Sequence, residues 1–228
     1  SASFKGLHLT ELNINETTTP NIGAFARYLT ATDNVTPTIE NCSASGKITV
    51  NCPEYTFQSK GKYLEFSVGG IIGYVAGAGV HNCVSRVDID IKQMVAQSNT
   101  SAVSPVIGGI VGALNLFAKS DKTNVLAPMS NCVNYGDFTV ANGTDNGETG
   151  YLTLSLGGCI GVQYNNNFTA LDTLTNYGDI TFDANFSPSA EVQIGGVGGY
   201  FYTKGATEVE RVAAYIMGEG YGSAPDMV

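Results

Sequence analysis

The chain has 228 residues with 11 Lys+Arg against 20 Asp+Glu, a formal net charge of -9 and a pI near 4.5. So few cations exclude a nucleic-acid binder that works by phosphate neutralisation, and no polybasic stretch suits an anionic membrane surface. Charged residues are only 14%, against a usual share of about 25%, and Gly is 28 of the 228 residues, about 12% against a usual ~7%; a chain of this length can bury a sizeable core as one domain.

In chain order, the first segment, residues 1–20, holds Leu7, Leu9, Leu12 and Ile14. That spacing predicts a strand, and it suits a cap over the open end of whatever follows. From Asn21 onward one phrase recurs: an apolar residue, two glycines, two apolar residues, a glycine. It reads Val68-Gly69-Gly70-Ile71-Ile72-Gly73, Ile107-Gly108-Gly109-Ile110-Val111-Gly112, Leu156-Gly157-Gly158-Cys159-Ile160-Gly161 and Ile194-Gly195-Gly196-Val197-Gly198-Gly199, after a degenerate Ile22-Gly23-Ala24-Phe25-Ala26. Two windows around these copies, Phe66–Val80 and Val103–Ala118, are apolar. Both are too short and too rich in glycine for a spanning helix, which needs about 20 residues.

A second phrase follows each of the first four copies: Ile39-Glu40-Asn41-Cys42, Val80-His81-Asn82-Cys83, Met129-Ser130-Asn131-Cys132 and Leu171-Asp172-Thr173-Leu174, with a weaker Val209-Glu210-Arg211-Val212. Six and eight residues past the Cys position stand Ile48 and Val50, Ile89 and Ile91, Phe138 and Val140, Ile180 and Phe182. A spacing of two is a strand with one face buried. Between phrase and strand, Ala44-Ser45-Gly46, Asn134-Tyr135-Gly136 and Asn176-Tyr177-Gly178 predict a corner, because Asn and Gly tolerate positive φ. Units of this kind bury a core only when stacked. The expectation is an all-β, right-handed parallel β-solenoid of about five coils over residues 21–228, three strands per coil, with residues 1–20 as the N-terminal cap. The alternative is an antiparallel β-sandwich, which gives no reason for the same phrase at every turn.

The VGGIIG and IGGIVG phrases followed by NCxNxG resemble the GLUG repeat and kindred glycine-rich repeats of large bacterial surface proteins. The likeness spans roughly Asn21 to Met217. It implies a surface stalk or adhesive module, in some proteins joined to a separate enzyme domain. The segment at Ser1 shows no leader pattern, and the chain reads as one module of a longer protein that is secreted or displayed at the cell surface.

Five cysteines occur: Cys42, Cys52, Cys83, Cys132 and Cys159. Three share one repeat position that Leu174 and Val212 fill elsewhere, so the slot is apolar and a column of buried thiols is expected. A disulfide between neighbouring coils would leave one cysteine over. Zinc is not supported, with no CxxC pair and only His8 and His81 to help; no cofactor is expected.

Five past the Cys position stand Lys47, Asp88, Asp137 and Asp179. The acidic column makes Asp88, Asp137 and Asp179 weak calcium candidates, Asn134 and Asn176 lending oxygens. The plainer reading is Asp bonding its own solvated turn. Three past it, Tyr135, Tyr177 and Tyr215 share an outward corner, where aromatic rings can bind sugar or protein or else cover the turn. Tyr135, Tyr177, Asp137 and Asp179 are therefore the candidate ligand-binding residues. Ala113–Pro128 and Asn142–Gly150 are the longest candidate binding loops.

No catalytic residue is assigned. A glycosidase pair of carboxylates, one of them protonated, has no distinctive signal here. Ser/His/Asp sets lack histidines, and the GG phrase lacks the helix and Lys of a phosphate loop. The expected function is non-enzymatic: a structural or adhesive module binding host protein or glycan through loops and outward corners, with self-association through the solenoid ends. The alternative is a polysaccharide-binding or polysaccharide-degrading solenoid.

Overall fold

The computed structural model describes residues 3–18, 21–52, 66–95, 105–140, 143–144, 153–164, 170–182 and 191–202. They form a parallel β-solenoid with three faces. The first face stacks Asn21–Gly23, Ser67–Gly69, Val106–Gly108, Thr153–Gly157 and Glu191–Gly195. The second stacks Ala26–Thr30, Ile72–Ala76, Val111–Asn115, Ile160–Tyr164 and Gly198–Tyr202. The third and widest begins at Ser3–Lys5 and His8–Glu16 and ends at Leu171–Asn176 and Ile180–Phe182. Every described pairing between coils is parallel, which excludes the sandwich. Among the described residues the one antiparallel pair, Phe117–Ala118 with Asn124–Val125, lies within a single loop.

Register follows the repeat residue for residue. On the third face Phe4, Ile39, Val80, Met129 and Leu171 form one column. Ile14, Ile48, Ile89, Phe138 and Ile180 form another. Ile39, Val80 and Met129 have no exposed surface, nor have Ile71, Ile110 and Cys159 facing them from the first corner. A one-residue slip would turn every such side chain outward, so burial fixes the register.

Both recurring phrases are corners. The GG phrase is not one strand: the chain leaves the first face after the first glycine and enters the second face two residues later, so the phrase is itself a corner. The second phrase is another corner, because Gly6, Asn41, Asn82, Asn131 and Thr173, one per level, all take φ between 51° and 64°. Gly and Asn suit that left-handed conformation, and Thr173 is the strained member.

The expected corner after the Cys position opens only where the sequence is Asn-x-Gly. There Asn134 Nδ2 donates to the Gly136 carbonyl (2.8 Å) while the Gly136 N–H donates to Asn134 Oδ1 (3.2 Å), and Asn176 repeats both bonds around Gly178. Asn134 Nδ2 also donates to Asn176 Oδ1 at 2.8 Å, so the buried Asn134 and half-buried Asn176 amides form a ladder along the axis. In the two earlier coils Ala44 and Ser85 stand in this column, and the strands Ser43–Cys52 and Val84–Val95 run straight through.

The two corners are mutually fitted. A Cβ on Gly109 would lie 2.2 Å from the Gly158 carbonyl oxygen and 2.3 Å from Asn134 Cγ; one on Gly158 would lie 2.0 Å from the Gly196 oxygen and 2.3 Å from Asn176 Cγ. The second glycine of these two phrases thus makes room both for the next coil's backbone and for the amide across the coil, and Gly70 does the same for the Gly109 backbone and the Ser85 hydroxyl. Ala24, the alanine in this glycine column, belongs to the coil whose corner carries Ala44.

The segment read as a cap is a partial coil in register with the rest. Phe4 pairs with Ile39 and Ile14 with Ile48, with a bulge between Leu9 and Leu12. Among the longest candidate loops, Ala113 to Asn115 lie within a strand. The hairpin beyond them folds back over the stack, where Ser120 donates from N (3.0 Å) and Oγ (2.6 Å) to the Asp33 carboxylate. Asn142–Gly150 falls outside the described residues except Gly143–Thr144, which pairs with Met94 and Val95. The fifth unit, Val209 to Val212, and Tyr215 also lie outside them.

Candidate functional site

The candidate residues converge on the outer surface of the third face, because alternate residues of a strand share one side. Arg86, Tyr135 and Tyr177 occupy successive levels of one column. The Arg86 guanidinium carbon lies 4.8 Å from the centre of the Tyr135 ring, and the Tyr135 and Tyr177 rings stack at 5.1 Å and 14°. Rings in register on parallel strands sit about one strand spacing apart, ~4.8 Å, so the backbone itself sets a stacking distance. Tyr135 thus has a cation on one ring face and an aromatic on the other, and is 45% exposed; Tyr177 is 54% exposed. The rings stack along the axis on the outer side of the strands. Arg86 escaped the sequence reading, although it stands three past Cys83 as Tyr135 stands three past Cys132.

Two residues further along, Asp88, Asp137 and Asp179 form the expected column. The first two carboxylates serve the next coil rather than their own turns: the Asp137 N–H donates to Asp88 Oδ1 (3.1 Å) and the Asp179 N–H to Asp137 Oδ1 (2.9 Å). Among the described residues no group of three His, Cys, Asp or Glu is placed to hold a metal ion. The column acts as a string of inter-coil caps with one oxygen of each of the first two carboxylates so engaged.

Asp90, seven past Cys83, was not legible as special. Its carboxylate is almost wholly buried, and Oδ2 receives Lys92 Nζ at 2.6 Å and Lys47 Nζ at 2.9 Å, while among the described residues Oδ1 has no hydrogen-bond partner. Burial pushes this carboxyl up, but the two ammonium groups outweigh it and hold it below its ordinary value. A carboxylate with a depressed folded pKa stabilises the fold above its unfolded value of about 4, and the contribution is lost as pH falls through the folded value. Asp90→Asn is expected to remove about 1 kcal/mol at pH 7. It should also flatten the fall of Tm below pH 4 in a thermal-melt series, and an unchanged acid limb would refute the assignment.

The cysteine column is buried as expected. Cys42, Cys83, Cys132 and Cys159 are free thiols with at most 1% exposure, and the side chain of Cys52 lies outside the description. The adjoining Cys83 thiol and burial push Cys132 well above the usual thiol range, and burial pushes Cys159 up to about 12. Such thiols are poor nucleophiles and poor metal ligands. His81 Nδ1 lies 2.8 Å from Ser130 Oγ on the next coil, and His8 Nδ1 lies 2.8 Å from Ser43 Oγ. Glu40, on the coil before His81, pairs with Lys5 at 3.2 Å and accepts from Asn41 at 3.4 Å. Among the described residues no helix is long and apolar enough to cross a membrane. No protein-family model, no curated protein and no solved structure matches this chain.

Proposed function

We propose that the chain is a non-enzymatic structural and adhesive module of a larger bacterial protein, secreted or held at the cell surface, that binds host protein or glycan through its outward corners. The observation that carries this reading is the Arg86–Tyr135–Tyr177 stack on the outer side of the third face, edged by Asp88, Asp137 and Asp179. Exposed Tyr and Arg are the residue types that dominate binding hot spots, and here their positions are already fixed. The likeness of the GG and NC phrases to GLUG-type surface repeats supports the setting.

A polysaccharide ligand is the second reading. Tyr177 offers aromatic surface for a pyranose ring, and Thr139 and Thr181 add hydroxyls on the same outer side.

The test is a binding screen of the purified chain on glycan and matrix-protein arrays, with and without calcium. A hit is expected to weaken at least tenfold in Tyr135→Ala/Tyr177→Ala, the loss of a hot-spot pair. Asp137→Ala and Asp179→Ala should leave it intact. A hit untouched by the tyrosine pair would sink the corner as the binding site. Calcium dependence abolished by the Asp variants would return the acidic column to a metal-binding role.

A further inference from the structure

A phenol yields its hydrogen atom to a one-electron oxidant, and the radical's spin spreads onto the ring carbons beside the C–O carbon. Two such radicals couple fastest where their rings already lie together, because a fixed pair reacts without a diffusional encounter. Tyr135 and Tyr177 meet that condition. Their ring centres are 5.1 Å apart with planes 14° apart, and the residues are 45% and 54% exposed, so an oxidant in solution reaches both. The backbone holds them in place. Asn134 and Asn176, one residue before each ring, are paired strand to strand and joined by their amides at 2.8 Å. The Tyr177 N–H donates to the Asn134 carbonyl at 2.8 Å.

We propose that Tyr135 and Tyr177 are an oxidative cross-linking site, where hydrogen peroxide and a one-electron haem peroxidase join the two rings as dityrosine. The oxidant removes one phenolic hydrogen atom from each ring. A carbon–carbon bond then forms between carbons ortho to the two oxygens. The hydrogen on each of those carbons shifts to its own ring's oxygen, which restores both aromatic rings and both hydroxyls. Two hydrogen atoms leave the protein, and one peroxide becomes two waters. The new bond ties one coil covalently to the next on the outer side of the third face.

The surroundings select this pair. The Arg86 guanidinium carbon lies 4.8 Å from the centre of the Tyr135 ring, and a guanidinium is no radical partner. Tyr28 and Tyr74 also stand on successive coils, but their rings meet edge to face at 6.0 Å and 74°. Tyr74 is only 9% exposed, and its hydroxyl accepts from Asn115 Nδ2 at 3.3 Å. The oxidant therefore reaches one ring of that pair and not the other. The thiols of Cys42, Cys83, Cys132 and Cys159, which peroxide would otherwise consume, have at most 1% exposure.

The test treats the dilute 228-residue chain with hydrogen peroxide and a haem peroxidase. Blue dityrosine fluorescence is expected in a chain that still runs as a monomer on denaturing gels and is lighter by two hydrogens. Cleavage at Asp137, Asp145, Glu148 and Asp172, which lie between the two tyrosines, should leave their peptides joined. Tyr135→Phe and Tyr177→Phe keep both rings, and thermal melts verify that each folds; either alone should abolish the bridge, while Tyr28→Phe should leave it. Absence of the bridge in the oxidised wild type overturns the proposal. So does a bridge that survives either variant, one mapped to Tyr28 and Tyr74, or fluorescence confined to cross-linked oligomers. Ligand capture is scored on the untreated chain, so this site and the adhesive reading can fail separately.

Discussion

Gly109→Ala is expected to cost about 3 kcal/mol, the upper part of the range for overpacking, seen as a Tm lowered by roughly 6–12 °C in a chain of this size. The added carbon would meet the Gly158 carbonyl oxygen at 2.2 Å, Asn134 Cγ at 2.3 Å and Asn134 Nδ2 at 2.6 Å. The oxygen belongs to the backbone of the next coil, so relief requires prising coils apart, and every strand pairing above and below resists. Rotating Asn134 away would only move the damage into the amide ladder. Gly6 supplies the contrast. It has φ +64° and nothing within 4 Å of a built Cβ, and its column holds Asn41, Asn82 and Asn131 at nearly the same angle. Gly6→Asn should therefore be close to neutral in the same melt. If Gly109→Ala melts with the wild type, the fitted-corner account fails.

Asn134→Ala is the second large effect, again about 3 kcal/mol. It strips the buried Gly136 N–H and carbonyl of their partners and takes the Nδ2 donor from Asn176 Oδ1. Each buried polar group left unpaired costs about 1–3 kcal/mol. The molecule contains its own graded comparison. One coil earlier Ser85 Oγ accepts the Val87 N–H at 3.3 Å and makes one such bond where Asn134 makes three. Asn134→Ser should consequently recover part of the loss, to roughly half that of the alanine. Urea titrations of the three proteins give the order wild type, Ser, Ala; equal midpoints for Ser and Ala would show that the local turn bond counts for nothing.

Much of this was legible because strand stacking converts sequence spacing into position. Counting from the Cys slot put Ile48, Ile89, Phe138 and Ile180 in one column, and the pairings agree. The same count found the Tyr135–Tyr177 corner and the acidic column. It missed what depends on contacts across the coil. That the second glycine answers Asn134 and Asn176 needs the two corners opposed in space, and nothing in either phrase alone reveals it. The N-terminal level was readable but disguised. Phe4-Lys5-Gly6-Leu7 repeats the Ile39-Glu40-Asn41-Cys42 pattern with Gly for Asn, the two residues most at ease with positive φ. Asp90 was hidden because Thr49, Thr139 and Thr181 fill its column, so no repeat marks it. The hairpin anchored by Ser120 on Asp33 joins residues 87 apart in sequence, a contact no local pattern encodes.

The ring stack and the inter-coil caps rest on neighbouring coils lying parallel and in register. Spin labels at paired positions measure that directly, with labelled chain diluted in unlabelled chain to silence contacts between molecules. Asp137 and Asp179, one level apart, should sit ~5 Å apart at the backbone, and Lys47 and Asp179, three levels apart, ~14 Å. The account predicts strong dipolar broadening for the first pair and weak broadening for the second. Equal broadening in both, or none in the first, would contradict it.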